Sequence, residues 1–190
     1  MRRQIFEESV ACIGAHVCQQ GIRDSQGLLQ KLVGMERNEQ FADGILPKIH
    51  ISGCPSSCGT HQIGVIGFRG GAKTIDKVLK PAFNLYINGS DIQGQERMGE
   101  EVGTLLEEQI PDFLCALGHA VSDSGMDFDT WFAKKSGRHQ GHCSFFPGIK
   151  GFSFKPGCCI IFISCPILGG NNGIIFQIKK PQADGFFILL

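Results

Sequence analysis

The sequence predicts a domain that mixes strands and helices, of the α+β or α/β class, over residues 1–136. Three observations carry this reading. Short apolar runs with strand character recur at 47–53, 63–68 and 82–89. Apolar residues spaced by three and four mark helical stretches after Cys18 and from Gln95 to Ala120. The composition then changes near Ser136–Gly137. Residues 1–136 hold 13 Lys and Arg against 17 Asp and Glu, whereas residues 137–190 hold five basic residues, one acid (Asp184) and eight of the 15 Phe.

Taken in order, Ile22, Leu28, Leu29, Leu32 and Val33 give the first helical stripe, weakened by Gly21 and Gly27. Pro47 opens a segment in which Ile49 and Ile51 alternate with Lys48, His50 and Ser52, as in a half-buried strand. IGVIGF reads as a second strand, and Gly70–Gly71 as the start of a polar connection to Pro81. AFNLYING is a third strand ending in a turn. Met98, Val102, Leu105, Leu106, Ile110, Phe113, Leu114 and Leu117 then predict a long helix that Pro111 kinks or splits. DFDTWFAKK is a short helix capped by Asp127 or Asp129. Residues 137–190 contain strand-like pieces without amphipathic logic. They are read as an atypical tail, poorly ordered or out of frame, outside the domain of residues 1–136.

Composition narrows the function classes. Apolar residues are 42% and charged residues 19%, which suits a packed core and argues against wholesale disorder. A formal net charge of zero gives no broad basic surface, so no nucleic-acid partner is expected. The longest apolar run, Cys158–Leu168, contains Pro166 and is too short to span a bilayer, so no membrane partner is expected either. The start of the chain shows no apolar leader before Glu7–Glu8. The nine cysteines are an odd set for a secreted disulfide scaffold. The chain is therefore read as cytoplasmic, with reduced thiols.

Four of those thiols form two pairs. Five residues separate Cys12 from Cys18 and three separate Cys54 from Cys58, with a predicted helix and strand between the pairs. A [4Fe–4S] cubane needs four soft sulfur donors converging from different directions, and two loops carrying a pair each supply them. Small residues around both pairs, including Gly14, Ala15, Gly53 and Gly59, let backbone N–H groups approach the sulfurs. Structural zinc favours Cys-x2-Cys knuckles, and neither pair has that spacing. Spacing alone leaves a cluster, zinc and four inert buried thiols as readings.

The flanking residues select among them. VACIGAHVCQQG followed by HISGCPSSCG resembles the paired signature of the sirohaem-dependent sulfite and nitrite reductases. HQIGVIGFRGG and NLYINGS resemble strands that follow it in that family, so the resemblance runs from about Glu8 to Lys135. It implies the family's α+β [4Fe–4S] domain, a mixed sheet with flanking helices. It implies Cys12, Cys18, Cys54 and Cys58 as cluster ligands, with the sulfur of Cys58 also serving as axial ligand to sirohaem. The implied reaction is six-electron reduction of sulfite to sulfide or of nitrite to ammonia. Electrons would come from a donor such as ferredoxin or a flavoprotein. Two departures stand out. Ser56 occupies a position where many members carry Asn. The family's ferredoxin-like half, which carries most of the substrate-gripping Arg and Lys, precedes the first pair in those enzymes, and this chain reads as the cluster-bearing half alone. Its alternatives are an electron-transfer module without sirohaem, or a truncated fragment without function.

Other residues carry blander expectations. His16, His50 and His61 lie near the pairs, where a histidine is more often hydrogen-bonded than a ligand. Arg23 and Arg69 read as solvated, as do Lys73, Lys77 and Lys80 and the acids Glu100, Glu101, Glu107 and Glu108 along the predicted helix. Cys115 falls on that helix's apolar face and reads as core. Cys143, Cys158, Cys159 and Cys165 fall in the tail.

Overall fold

A computed structural model describes residues 8–136, 149–152 and 161–163. The predicted tail and its four cysteines therefore lie outside the described residues, apart from two short strands, β6 (Ile149–Phe152) and β7 (Ile161–Ile163), which pair antiparallel.

The rest is an α+β fold on a five-stranded mixed sheet. Its strands are β1 (Val10–Ala11), β2 (Ile49–Ser52), β3 (Ile66–Ile75), β4 (Val78–Ile87) and β5 (Glu100–Leu106), lying side by side in that order. β1–β2 and β2–β3 are parallel, and β3–β4 and β4–β5 antiparallel. Parallel neighbours need a long crossover, because the chain must return to the starting edge before pairing again. The first crossover contains helix α1 (Ser25–Glu39), and the second is the loop of residues 53–65.

The start of each helix has a local cause. The Asp24 carboxylate accepts the Gly27 N–H at 3.0 Å and starts α1. α2 (Ile110–Ser122) carries Pro111 in its first turn, where the missing N–H is harmless. It buries Ile110, Phe113, Leu114, Leu117 and Val121 along one face. α3 (Phe128–Ser136) begins as expected: the Asp127 carboxylate accepts the Thr130 N–H at 2.7 Å. Leu28 and Leu32 of α1 join Ile49, Ile51, Phe68, Phe83, Leu85 and Leu105 of the sheet and the α2 stripe in one core. β2 is buried along its whole length. Ile49 and Ile51 face the helices, while His50 and Ser52, of opposite pleat, meet Thr60, Gly59 and His61 of the folded-back loop.

Two expectations are corrected. The helix predicted from Gln95 is a strand over Glu100–Leu106, followed by a 3-10 turn at Glu107–Gln109, and turns α-helical only at Ile110. Val102, Leu105 and Leu106 satisfy a helical stripe, yet they are buried as a strand because β4 offers an open edge there. The polar connection after Gly70–Gly71 is the remainder of β3. A two-residue turn at Asp76–Lys77 joins it to β4, with φ of 50° and 65°. Such a turn matches strand twist but favours Asn-Gly, so Asp-Lys hides it from the sequence.

Candidate metal centre

The topology brings the two cysteine pairs together. Cys12 follows the last residue of β1, and Cys54 lies two residues beyond the end of β2. β1 and β2 are adjacent and parallel, so both loops leave the same edge of the sheet at the carboxyl ends of the strands. Cys12 extends the pairing, its N–H donating to the Ile51 carbonyl at 3.0 Å. Cys18 closes a tight turn, its N–H donating to the Gly14 carbonyl at 2.8 Å.

The loops are stitched to each other. The Gly53 carbonyl accepts the N–H groups of Ile22 and Arg23, at 3.1 and 2.9 Å. The Gly53 N–H points at the sulfur of Cys12, 3.1 Å away, and the Ser25 hydroxyl lies 3.1 Å from the same sulfur. At the far end of the second pair, Gly59 packs directly on β2: a Cβ there would lie 2.0 Å from the Ile51 carbonyl oxygen, so no other residue fits.

All four cysteines line one cavity of about 60 Å³, together with Gly14, Gly21, Ser52, Gly53 and Ser56. None is in a disulfide; Cys54 is buried, Cys12 and Cys18 half-buried, and Cys58 exposed at the rim. Ile13, Val17 and Ile22 are exposed apolar side chains on the first loop beside it. No three of these thiols crowd to within 4.8 Å, as the donors of a single ion would. Among the described residues that crowding occurs at Glu39, Cys115 and His119. Soft donors spread around a space with a backbone N–H on one sulfur suit a polynuclear iron–sulfur group better than one zinc ion.

A buried network supports the second loop from behind. The Ser52 hydroxyl accepts the Gly59 N–H at 3.1 Å and shares a hydrogen bond with His61 Nδ1 at 2.9 Å. His61 is 1% exposed and lies 4.8 Å, ring to ring, from Tyr86. Burial first, then the nearby Arg69 guanidinium, lowers the His61 pKa to about 4, so the imidazole is neutral at pH 7. Tyr86 donates to Glu101 at 2.8 Å, and Arg69 pairs with the same carboxylate at 3.0 Å. Burial, reinforced by the Glu101 hydrogen bond, raises the Tyr86 pKa to about 12. His50 bonds Thr60 at 2.8 Å, and burial lowers its pKa too.

His50 and His61 are hydrogen-bonded inside the fold, as expected, and His16 is exposed. The arginine expectation does not hold. Arg23 Nε donates to the Gly71 carbonyl at 2.6 Å, and Arg69 lies in the Glu101–Tyr86 network, so both serve the scaffold. Glu101 is likewise a bonded residue of β5 and not part of a solvated helical face. Ser25 and Ser52 contact the site and escaped the sequence reading, because single serines carry no spacing signal.

No family model matches the chain. Curated relatives do. A putative sulfite reductase [NADPH] hemoprotein beta-component of Buchnera aphidicola is 29% identical over 109 residues, 56% of this chain and 17% of that protein. Spinach chloroplastic ferredoxin–nitrite reductase is 30% identical over 105 residues, 54% of this chain and 16% of the enzyme. Over these residues the chain is similar to sulfite and nitrite reductases. The ferredoxin–nitrite reductase of Leptolyngbya laminosa agrees, at 29% identity over 105 residues, 54% of this chain and 19% of that one. Among solved structures, the Mycobacterium tuberculosis NirA protein shares the fold with a TM-score of 0.56 and 21% identity, over 65% of this chain and 24% of NirA. The chain thus spans under a fifth of the length of these curated relatives.

Proposed function

We infer that this chain supplies the electron-delivering part of a sulfite or nitrite reductase site. Cys12, Cys18, Cys54 and Cys58 hold a [4Fe–4S] cluster, and Cys58 also presents its sulfur to sirohaem. The observation that carries this reading is the convergence of four thiols from two loops on one cavity, with Cys58 alone exposed at its mouth. The exposed Ile13, Val17 and Ile22 beside the cavity would offer apolar contacts to a macrocycle. When bound, the cluster and sirohaem would supply one-electron transfer and an iron centre for sulfite or nitrite.

This chain's own residues do the holding. Gly53 directs an N–H at the Cys12 sulfur, a contact that tunes the potential of whatever the sulfur ligates. Ser52 and Gly59 hold the second pair against β2. Arg23 and Arg69 are engaged within the fold, so we assign the positive charge that grips the anion to a partner segment like the ferredoxin-like half of the family. Ferredoxin or a flavoprotein is the proposed electron donor.

Anaerobic reconstitution with iron and sulfide, then with sirohaem, tests the reading. Four iron and four sulfide per chain are expected at the [4Fe–4S] stage, with a Soret and a far-red band once sirohaem is added. Cys58→Ser should abolish both signals. A sirohaem spectrum that survives Cys58→Ser sinks the bridging role, and a cluster that never acquires sirohaem leaves an electron-transfer module in its place.

A further inference from the structure

A second set of donors lies away from the cysteine cavity, where α1 and α2 meet. Glu39 is the last residue of α1, and Cys115 and His119 stand four apart on α2, so their side chains leave that helix on one face. Ser25, at the other end of α1, contacts Cys12; Glu39 is about 20 Å of helical rise away. One donor atom from each of Glu39, Cys115 and His119 falls within 4.8 Å of the other two, and all three residues are half-buried. Cys115 is thus not the core residue its apolar neighbours suggested.

Three observations point to a ligand here. His119 Nε2 lies 3.1 Å from a Glu39 carboxylate oxygen, yet that contact lacks hydrogen-bond geometry and the nitrogen is sealed from solvent. A sealed imidazole nitrogen needs a partner, and the carboxylate as placed does not provide it. A cation between the two atoms would satisfy both. Second, Phe41 fixes the imidazole: the rings meet edge to face at 5.2 Å and 74°. That ring also lies on Gly118, where a Cβ would approach it to 2.6 Å, so the glycine makes room for the support. Third, Glu39 puts negative charge at the carboxyl end of α1, where the helix dipole disfavours it and a bound cation would relieve it.

We propose that Glu39, Cys115 and His119 form a binding site for a divalent zinc-type ion, separate from the cysteine cavity. Thiolate, imidazole and carboxylate together suit zinc and its neighbours in the transition series, whereas calcium and magnesium prefer oxygen alone. Three protein donors leave a fourth position for water. The ion would clamp the end of α1 to α2. Cys115 binds as the thiolate and releases its proton to solvent, so uptake falls as pH is lowered.

Anaerobic titration with Co2+, a coloured stand-in for Zn2+, tests the site in the full chain carrying Cys54→Ser and Cys58→Ser, which disables the cavity. One Co2+ per chain is expected, with a thiolate-to-cobalt charge-transfer band and intense visible bands of four-coordinate cobalt, all displaced by Zn2+. Cys115→Ser should remove the charge-transfer band, and His119→Ala and Glu39→Gln should each weaken binding at least roughly tenfold. Should Cys115→Ser fail to fold by circular dichroism, the His119→Ala and Glu39→Gln affinities decide alone. A band that survives Cys115→Ser, or parent-like affinity in both other variants, overturns the site. So does the absence of any band, which would leave a plain ion pair between His119 and Glu39.

Discussion

Ser52 shows how much a small buried side chain controls at this site. It is fully buried, its hydroxyl accepts the Gly59 N–H, and it shares a hydrogen bond with His61. Ser52→Ala would leave both partners buried without a bond, at a cost of about 1–3 kcal/mol. Urea unfolding of the metal-free chain should show that loss. The same variant should retain less iron after reconstitution and gel filtration, because Gly59 adjoins Cys58. Iron retention equal to wild type would separate the serine from the metal centre. Ser56 is different: it is exposed at the cavity edge, and Ser56→Asn is expected to leave stability within about 0.5 kcal/mol.

At the scale of elements, α1 joins the cysteine cavity to the Glu39–Cys115–His119 cluster. Its cap, Asp24, adjoins Ser25, which both donates to the Cys12 carbonyl at 2.8 Å and touches the Cys12 sulfur. Asp24→Ala should lower stability by about 1 kcal/mol in urea unfolding and loosen the first cysteine loop. An unchanged midpoint would mean that packing of Leu28 and Leu32 alone sets the helix start. α2 was legible only from Ile110 onward, since its stripe ran without a break into the apolar residues of β5. Periodicity cannot separate a helix from a strand when Val102, Leu105 and Leu106 satisfy both patterns.

At the scale of the molecule, the His61–Tyr86–Arg69–Glu101 network ties the second cysteine loop to β3, β4 and β5. It also makes stability depend on pH. The folded state holds His61 neutral with a pKa lowered from 6.5 to about 4, so the unfolded chain binds a proton first as pH falls. Its contribution is complete above pH 6.5 and is lost as pH drops from there toward about 4, on the order of 3 kcal/mol in all. His50, lowered by burial, adds in the same direction. Urea midpoints of the metal-free chain should therefore fall between pH 7 and pH 4.5, and His61→Gln should flatten that fall. An equally steep profile in His61→Gln would assign the effect to other groups.

The sequence by itself determined the donors and most of the elements that carry them. The two cysteine pairs, the strand at Ile49–Ser52, the stripe of α1 and the cap of α3 are local patterns, set by spacing and by residues that touch within a few positions. The resemblance to sulfite and nitrite reductases was legible too, because small residues around the cysteines are local as well. Only the tertiary structure decided that the pairs meet: they share a cavity because β1 and β2 lie adjacent and parallel, a long-range pairing that no window of sequence contains. The same holds for the strand at Glu100–Leu106, the roles of Ser52, Arg23 and Arg69, and the meeting of Glu39 with Cys115 and His119. Each depends on which distant surface an element happens to face, and that is fixed only when the whole core closes.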